Sequence, residues 1–327
     1  NMDFSLSEER KMLQETVARF FESNYQNINK RNENVNLPEG FCKNFWKESA
    51  ELGIISALVS PKFGGLGGDG DDISIIFELI GKSLCVEPFL ASGVLSSTIL
   101  SSVSNPNLDL INQIVEGKLL IAFAHTEMNN RYEDSFIENS ASLKDNKWCL
   151  NGTKSFVING DTANKVIVSA RIDGDVNDKA GIGLFLIDND QIKNRSYNTV
   201  DGYRASELIF DTSKAELIAR DNEALSCIIK ANSAGALALS AEALGIMETC
   251  FNLTLDYLKT RNQFGKSIGS FQSIQHRMVD MMLEIEQVKS AVMLASSTYQ
   301  SDEKTRDKNI SAAKNLVGRV GKLVAEE

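Results

Sequence analysis

Hydrophobic and polar positions fall into three blocks along the chain, each with its own spacing. In the first block apolar residues recur every three or four positions, which predicts amphipathic helices; the first of these covers residues 5–25. The middle block consists of short β-branched and aromatic stretches separated by turns such as Asn151-Gly152. No helical pattern of about 10 to 15 residues separates them, so this block predicts an antiparallel β-domain rather than a doubly wound parallel sheet.

The last block is helical again. Leu237, Leu244, Phe251 and Leu258 recur every seven residues, and two further apolar stripes follow. Neighbouring helices with long apolar stripes indicate a helical bundle with a subunit interface. We therefore predict a multidomain α and β chain in three parts: an N-terminal all-helical domain (1–118), a middle β-barrel-like antiparallel domain (119–221) and a C-terminal helical bundle (222–327).

Composition and charge argue against several classes of function for this chain. The chain has 44 acidic against 34 basic residues, a net charge of −10, which disfavours nucleic-acid binding. Its five cysteines form no CxxC pair, so we expect free thiols and a cytoplasmic location. Two histidines are too few for a His-rich metal site, and we expect no metal. The apolar runs are interrupted by polar residues, so we expect no membrane span.

Several segments together resemble the acyl-CoA dehydrogenase family of flavoenzymes. The bundle segment contains YLKTRNQFGKSIGSFQ, which matches the family pattern Tyr-x-x-x-Arg-x-Gln-Phe-Gly-x-x-Ile-x-x-Phe-Gln nearly position by position. The other matching segments are the opening helix DFSLSEERKMLQETVARFFE, the glycine-rich loop SPKFGGLGG and the strand region LNGTKSFVINGDTANKVIVSAR. Within the family, HTEMNNRYED, DNDQIKNRSYNTVDGYRASEL and VGRVGKLVAEE are most similar to small subunits of pimeloyl-CoA dehydrogenases.

The resemblance implies a subunit of N-terminal helices, a middle β-domain and a C-terminal bundle, with FAD between the last two and its adenosine end at a neighbouring subunit. It also implies the reaction, α,β-dehydrogenation of an acyl-CoA thioester, in which a carboxylate removes an α-proton and a hydride passes to the flavin. An electron-transfer flavoprotein would reoxidise the cofactor. The family forms dimers and tetramers, so we expect a homo-oligomer or a hetero-oligomer with a paralogous subunit.

The resemblance places one set of flavin contacts at the end of the strand LLIAFAHTE. Thr126 matches a threonine that hydrogen-bonds the flavin pyrimidine ring, and Phe123 and His125 line the same strand. Reduced flavin needs donors near N1 and O2, where negative charge develops. For His125, the residues alone are equally compatible with a core histidine.

A second set lies where the family has Trp-Ile-Thr along the flavin. Here the chain has Phe156, Val157 and Ile158. Phe156 keeps an aromatic ring that can stack on the isoalloxazine, with less area than Trp. Ile158 has no side-chain donor to replace that of Thr. The alternative is a plain buried strand.

The bundle segment implies the contacts to the other end of the cofactor. Arg261, Phe264 and Gln272 match the residues that the family uses on the pyrophosphate and adenosine of the neighbour's FAD, with Gln263 and Gln275 beside them. Arginine suits a diphosphate because its guanidinium donates two parallel hydrogen bonds. Phe264 could alternatively serve only the subunit interface.

Substrate contacts depart from the family pattern. The chain replaces the usual Pro-x-x-Gly-Ser-Asp after Glu127, and this places Arg131 where it could bind a phosphate or a substrate carboxylate. The alternative is a surface arginine paired with Glu133 or Glu138. On the first bundle helix Ser233 stands where many relatives have an Asp, and we predict it as a substrate contact.

The catalytic carboxylate is not identified in the sequence. Most of the family carries this Glu in a loop that would lie beyond residue 327, and a minority on the first bundle helix at the position of Gly235. We expect the base to lie beyond residue 327, in a longer protein. The predicted function is therefore an FAD-dependent acyl-CoA dehydrogenase subunit. The alternative is a non-catalytic partner that completes the FAD site of another subunit.

Overall fold

The computed structural model describes residues 6–130 and 132–327, and its elements follow the predicted order of helices, strands and helices. The helices are α1 (Glu8–Asn24), α2 (Ile28–Val35), α3 (Lys43–Glu51), α4 (Gly70–Ser83), α5 (Ser97–Ser102), α6 (Leu108–Val115), α7 (Asp221–Thr260), α8 (Gln272–Ser297) and α9 (Glu303–Glu326). The strands are β1 (Ile121–Ala124), β2 (Ser140–Lys144), β3 (Lys147–Ile158), β4 (Lys165–Arg171), β5 (Ile182–Asp188), β6 (Lys193–Asn198), β7 (Arg204–Arg220), β8 (Asn262–Gln263) and β9 (Lys266–Ser267). A π-helical segment, Phe89–Ser96, precedes α5.

Local sequence signals account for where the first helices begin. The Ser7 hydroxyl accepts a hydrogen bond from the Arg10 amide at 3.2 Å, which identifies Ser7 as the N-cap of α1. The glycine-rich stretch ends in a capping box: Asp69 caps α4 and the Asp72 carboxylate accepts from the Asp69 amide. Arg10 donates to this same acidic turn, at 3.0 Å to Asp72.

The middle strands form a mixed sheet whose pairings close into a ring. The order β4–β2–β3–β7–β5 returns to β4 through the antiparallel β4–β5 pair, as in a barrel. The prediction of a wholly antiparallel domain was wrong at two strand pairs. Strand β1 runs parallel to β4 with Phe123 opposite Ile167, and β2 meets β4 in parallel at Ser140 and Arg171. The residues between β1 and β4 include the β2–β3 hairpin instead of a helix, so no crossover pattern in the sequence indicates a parallel pair.

Alternating side chains of these strands fill the inside of the ring. The buried set includes Ala122, Ala124, Leu150, Val157, Val166, Val168, Phe185 and Leu208. Side chains alternate across a strand, so the residues on either side of Ala124 lie on the face of β1 opposite to Ala122 and Ala124. That face carries Phe123 and His125, two of the predicted flavin residues.

The chain divides into two compact units. One comprises residues 6–28, 69–85 and 236–327, and the other 29–68, 86–130 and 132–235. The first unit therefore contains α1, α4, α8, α9 and most of α7, and the second contains the sheet. The domain boundaries at 118 and 221 stay a prediction.

Two glycines allow helices α4 and α7 to pack closely within the first unit. A Cβ on Gly81 would lie 1.9 Å from the Glu242 carbonyl oxygen, and one on Gly245 would lie 2.0 Å from that of Glu78. Both distances are too short for any side chain, so glycine at these two positions lets the helix backbones touch.

Helix α7 is also the most apolar long element. Its most apolar 18-residue stretch has a mean hydropathy of 1.3, enough by length and composition to cross a membrane, and 61% of that stretch is buried. The central helix of a soluble protein meets the same criterion, so this helix is weak evidence for a span. The expectation of no membrane span stays a prediction. All five cysteines are free thiols, as expected.

Candidate functional site

A β-bulge in β3 decides which of its side chains reach the surface. Lys154 is opposite Leu208 on β7 and Val157 is opposite Ser206, so β3 carries one extra residue between these pairs. A bulge of this kind breaks the alternation and re-aims the side chains next to it. Consequently Lys154 and Val157 are both fully buried, whereas the Phe156 ring is 43% exposed.

Phe156 and Thr126 lie on segments that are linked directly. The Ser155 amide donates to the Thr126 carbonyl oxygen at 2.9 Å. Thr126 is exposed, and its hydroxyl has no hydrogen-bond partner in the described part of the chain. The structure thus links the segment that carries an available hydroxyl to the segment that carries an exposed aromatic ring. Their role at one edge of the flavin stays a prediction.

A buried lysine holds these two segments together. The Lys154 ammonium donates to the Glu127 carboxylate at 2.7 Å, to the Ser169 hydroxyl at 3.0 Å and to the His125 carbonyl at 3.1 Å. Its side chain is 0% exposed. Three donors with three acceptors leave this ammonium fully satisfied. Burial lowers the pKa of Lys154 to about 8, although the charge of Glu127 opposes that shift.

The carboxylate of this pair is equally saturated. Besides Lys154, the Glu127 side chain accepts from the backbone amides of Glu138 at 2.7 Å and Asn139 at 3.0 Å. The Asn139 side-chain oxygen in turn accepts from the Thr153 amide at 2.9 Å. A buried charge is tolerated only with such partners. The cluster of Lys154, Glu127, Ser169 and His125 is called the Lys154 cluster below.

His125 is buried in the same cluster. Its Nδ1 lies 2.8 Å from the Ser169 hydroxyl, its ring is stacked on Phe123 with centroids 5.7 Å apart, and its buried Nε2 has no partner among the described residues. Burial, together with the charge of Lys154, lowers the pKa of His125 from 6.5 to about 3. The imidazole is therefore neutral across the physiological range.

The predicted adenosine contacts lie in a small hairpin of the first unit. Strands β8 and β9 pair with Asn262 opposite Ser267, and Phe264 and Gly265 form the two-residue turn with φ of 54° and 78°. Two positive φ angles identify a type I′ turn, which favours Asn-Gly. A bulky residue there is a true outlier. The turn leaves the Phe264 ring 91% exposed.

The other predicted residues of this region surround the hairpin at the surface. Arg261 is exposed, and its carbonyl accepts from the Ile268 amide at 2.9 Å. Gln263 and Gln272 are also exposed, and the Gln275 side chain donates to the Gly269 carbonyl at 3.0 Å. The hairpin therefore presents a guanidinium, an aromatic ring and three amides outward.

The predicted substrate residues have different outcomes. Arg131 lies outside the described residues, and Glu138, one of its alternative partners, accepts from the Asn129 side-chain amide at 3.1 Å. Ser233 is half-buried on α7. A Cβ built on Gly235 would lie 2.8 Å from Cδ2 of Leu95, so the space next to this position is occupied by a leucine of the π-helical segment. The expected base beyond residue 327 stays a prediction.

The residues present fit a flavin. The free Thr126 hydroxyl is a donor, and the exposed Phe156 ring is a stacking surface of the kind that such a ring requires. The buried Nε2 of His125 is a polar atom without a partner among the described residues. Arg261 supplies the cation that a diphosphate requires. Val157 packs its side chain into the core of the β-domain, so only its backbone can take part. Ile158 is half-buried and offers no side-chain donor.

The sequence analysis missed Lys154 and Glu127. Both are charged residues inside stretches with a strand pattern, and such residues are almost never fully buried unless paired. That pattern was the available signal for a buried ion pair.

Comparison with known proteins identifies the family of this chain. Three family profiles match successive parts of the chain: the acyl-CoA dehydrogenase N-terminal domain over residues 7–105, the middle domain over 122–213 and the C-terminal domain over 225–327. The matches contain Thr126, Phe156 and the hairpin of Arg261 and Phe264.

Individual relatives are similar over most of their length. Mitochondrial isovaleryl-CoA dehydrogenase of Pongo abelii is 30% identical over 295 residues, covering 84% of this chain and 68% of that protein. The short-chain specific acyl-CoA dehydrogenase of Clostridium acetobutylicum is 27% identical, covering 92% and 81%. The FAD complex of PigA superposes with a TM-score of 0.88 at 25% identity, covering 99% and 87%. The chain belongs to the acyl-CoA dehydrogenase family, FAD-dependent oxidoreductases that act on CH–CH donors.

Proposed function

We propose that this chain is a subunit of an acyl-CoA dehydrogenase that introduces a double bond between the α and β carbons of an acyl-CoA thioester and passes the electrons to an electron-transfer flavoprotein. The proposal rests mainly on one observation: the unpartnered Thr126 hydroxyl and the exposed Phe156 ring belong to two segments that the Ser155 amide links by a hydrogen bond to the Thr126 carbonyl. The free thiols favour a cytoplasmic location.

The chain's own residues would bind and orient the cofactor. Thr126 would donate its hydroxyl to the flavin edge, and Phe156 would cover part of the ring and exclude water. FAD, when bound, supplies the hydride acceptor. Arg261 would bind the diphosphate, and Phe264 and Gln272 would contact the adenosine end, on the FAD of a second subunit as in the family pattern.

Flavin content and flavin reduction test this proposal. Purified protein, supplemented with FAD if needed, should show a flavin visible spectrum, and anaerobic addition of a suitable acyl-CoA should bleach it. The panel should contain butyryl-, isovaleryl-, octanoyl- and pimeloyl-CoA, the last because of the resemblance to pimeloyl-CoA dehydrogenase small subunits. Thr126→Val and Phe156→Ala should each weaken FAD binding. Protein that takes up no FAD would contradict the proposal.

A second function is favoured by the surroundings of Gly235. This position has no side chain, and Leu95 occupies the space that a Cβ would need. A carboxylate therefore cannot be supplied from this point of α7. The chain could instead be a non-catalytic partner that lends Arg261 and Phe264 to the FAD of a paralogous subunit.

Comparison of the isolated chain with a co-expressed pair separates the two functions. If the isolated, FAD-loaded chain bleaches with an acyl-CoA, the partner-only function is excluded. If bleaching needs the paralogous subunit encoded beside it, Arg261→Ala in this chain should lower the FAD content of the pair. The matched control is Arg19→Ala, an exposed arginine on α1 outside the hairpin.

A further inference from the structure

The Lys154 cluster encloses the backbone on both sides of Thr126. Lys154 donates to the carbonyl of His125 and to the carboxylate of Glu127, the residues before and after Thr126. Glu127 is itself fixed by the amides of Glu138 and Asn139. The Thr126 backbone is therefore held from both neighbours while its hydroxyl stays available.

The same lysine also fixes Phe156. Lys154 begins the bulge that turns the Phe156 ring outward, and the amide of Ser155, between them, donates to the Thr126 carbonyl. One buried ammonium thus restrains both surface groups, although neither Thr126 nor Phe156 touches its charge.

A role in stability alone does not explain the ion pair. Desolvating two charges offsets most of their attraction, so well-packed apolar residues of similar volume are often neutral or stabilising in place of a buried pair. A saturated pair does, however, define one geometry, because every donor has a single acceptor in place.

We infer that Lys154 and Glu127 are positioning residues of the flavin site, which hold Thr126 and Phe156 in the arrangement that binds FAD. The inference rests on the proposed FAD binding. Neither residue contacts the cofactor in this scheme, and both act through Thr126 and Phe156.

FAD titration of the apoprotein tests the inference. Lys154→Met should raise the FAD dissociation constant about 10-fold to 100-fold, by analogy with the partners that orient metal-binding side chains, and should shift the flavin absorption bands. Lys154→Met with Glu127→Gln removes both charges and keeps one side-chain oxygen as an acceptor for one of the two backbone amides, those of Glu138 and Asn139, that now donate to the carboxylate. Folding of each variant is checked by circular dichroism.

The double variant separates geometry from stability. If the pair serves only the fold, the double variant should regain stability and bind FAD like the wild type, which would overturn the inference. If the pair positions Thr126 and Phe156, the loss of FAD affinity and the shifted spectrum should persist in the folded double variant.

A double-mutant cycle with Thr126 gives a second, independent measurement. If Lys154 acts largely through Thr126, the effect of Lys154→Met should fall to about threefold or less in a Thr126→Val background, because the two sites are coupled. Equal effects in both backgrounds would contradict this route. The control is Lys82→Met, which removes an ammonium paired with Glu78 and Glu248 in the other unit and should leave FAD affinity unchanged.

Failure of the proposed function and failure of the positioning role give different results. Wild-type protein that binds no FAD would refute the proposed function itself. Wild-type protein that binds FAD, with Lys154→Met folded and showing the same affinity and spectrum, would refute only the positioning role.

Discussion

The two regions predicted to contact FAD are built in opposite ways. In the strand region, Lys154 and Glu127 are buried and every polar group of the pair has a partner. In the hairpin, Phe264 is 91% exposed on a turn with positive φ, and Arg261 is exposed beside it. The first region is ordered by its own chain before any ligand arrives. The second exposes an aromatic ring on a strained turn, and this arrangement becomes favourable only when a ligand or another subunit covers it.

This difference predicts where a substitution destabilises the protein and where it impairs only binding. Removing Lys154 or Glu127 from the saturated pair leaves a buried group unpaired, which is expensive. Removing an exposed hairpin side chain costs little stability, because it leaves nothing unpaired. The change in the free energy of unfolding on substitution should therefore be large in the strand region and small in the hairpin.

Lys154→Met should have the largest effect. It leaves the Glu127 carboxylate buried without its cation, and breaking a buried pair in this way costs about 3–5 kcal/mol. Urea denaturation monitored by circular dichroism measures the loss. Arg261→Ala is the counterpart in the hairpin and should change the unfolding free energy by about 0.5 kcal/mol or less. Similar losses for the two variants would remove the contrast.

The strand region shows what the sequence could and could not predict. The family motif identified Thr126 and Phe156, and the structure indeed leaves both exposed. Strict alternation along β3 would place Lys154, Phe156 and Ile158 on one face. The bulge separates them, and it depends on the register against β7, a contact across about 50 residues that local periodicity does not contain.

The hairpin was easier to locate and harder to explain. Asn262 to Gln272 match the family pattern in a short continuous segment, so the residues that act together are neighbours in sequence. The motif did not predict the positive φ of Phe264, because propensity favours Asn or Gly there and a functional position can override propensity. The parallel β1–β4 pair was missed for a similar reason, since it is set by tertiary pairing.

Acid should lower the free energy of unfolding, because His125 is buried and neutral in the folded protein. The imidazole keeps a pKa of about 3 when folded, whereas it returns to about 6.5 when unfolded. Between these values the unfolded state binds the extra proton, so the free energy of unfolding falls as the pH decreases through this window. From pH 7 to pH 5 the loss from this group is about 2 kcal/mol.

His125→Leu should remove this pH-dependent loss. The groups that face the ring are Lys154, Ser169 and Phe123, and Lys154 still donates to Ser169 in the variant. Urea midpoints at pH 7 and pH 5 for the two proteins measure the difference. His276 is exposed and serves as the internal comparison, through His276→Gln. A variant with the wild-type pH dependence would show that His125 is already solvated.

Gly265→Ala should have a smaller effect. Gly265 has φ of 78°, and an added Cβ would meet nothing within 4 Å, so the cost comes from the backbone alone and is about 1 kcal/mol. Gly318→Ala in α9 is the matched control, because a Cβ there also meets nothing within 4 Å but the position is helical. It should raise stability by up to about 1 kcal/mol. Changes of the same sign would contradict the left-handed turn.

Phe264→Gly should have the smallest effect on stability and a large effect on binding. The substitution relieves the positive φ of a bulky residue and loses one edge-on ring contact with Phe271, whose centroid lies 6.3 Å away. These terms are opposite in sign and each about 1 kcal/mol, so the net change should be within about 0.5 kcal/mol. FAD affinity should nevertheless fall, because the exposed ring is what the neighbour's cofactor would contact. Urea unfolding and FAD titration of the same sample measure the two effects. A clear loss of stability with unchanged FAD affinity would identify Phe264 as a packing residue of its own hairpin. The hairpin would then resemble the strand region, whose residues are fixed by contacts within the chain.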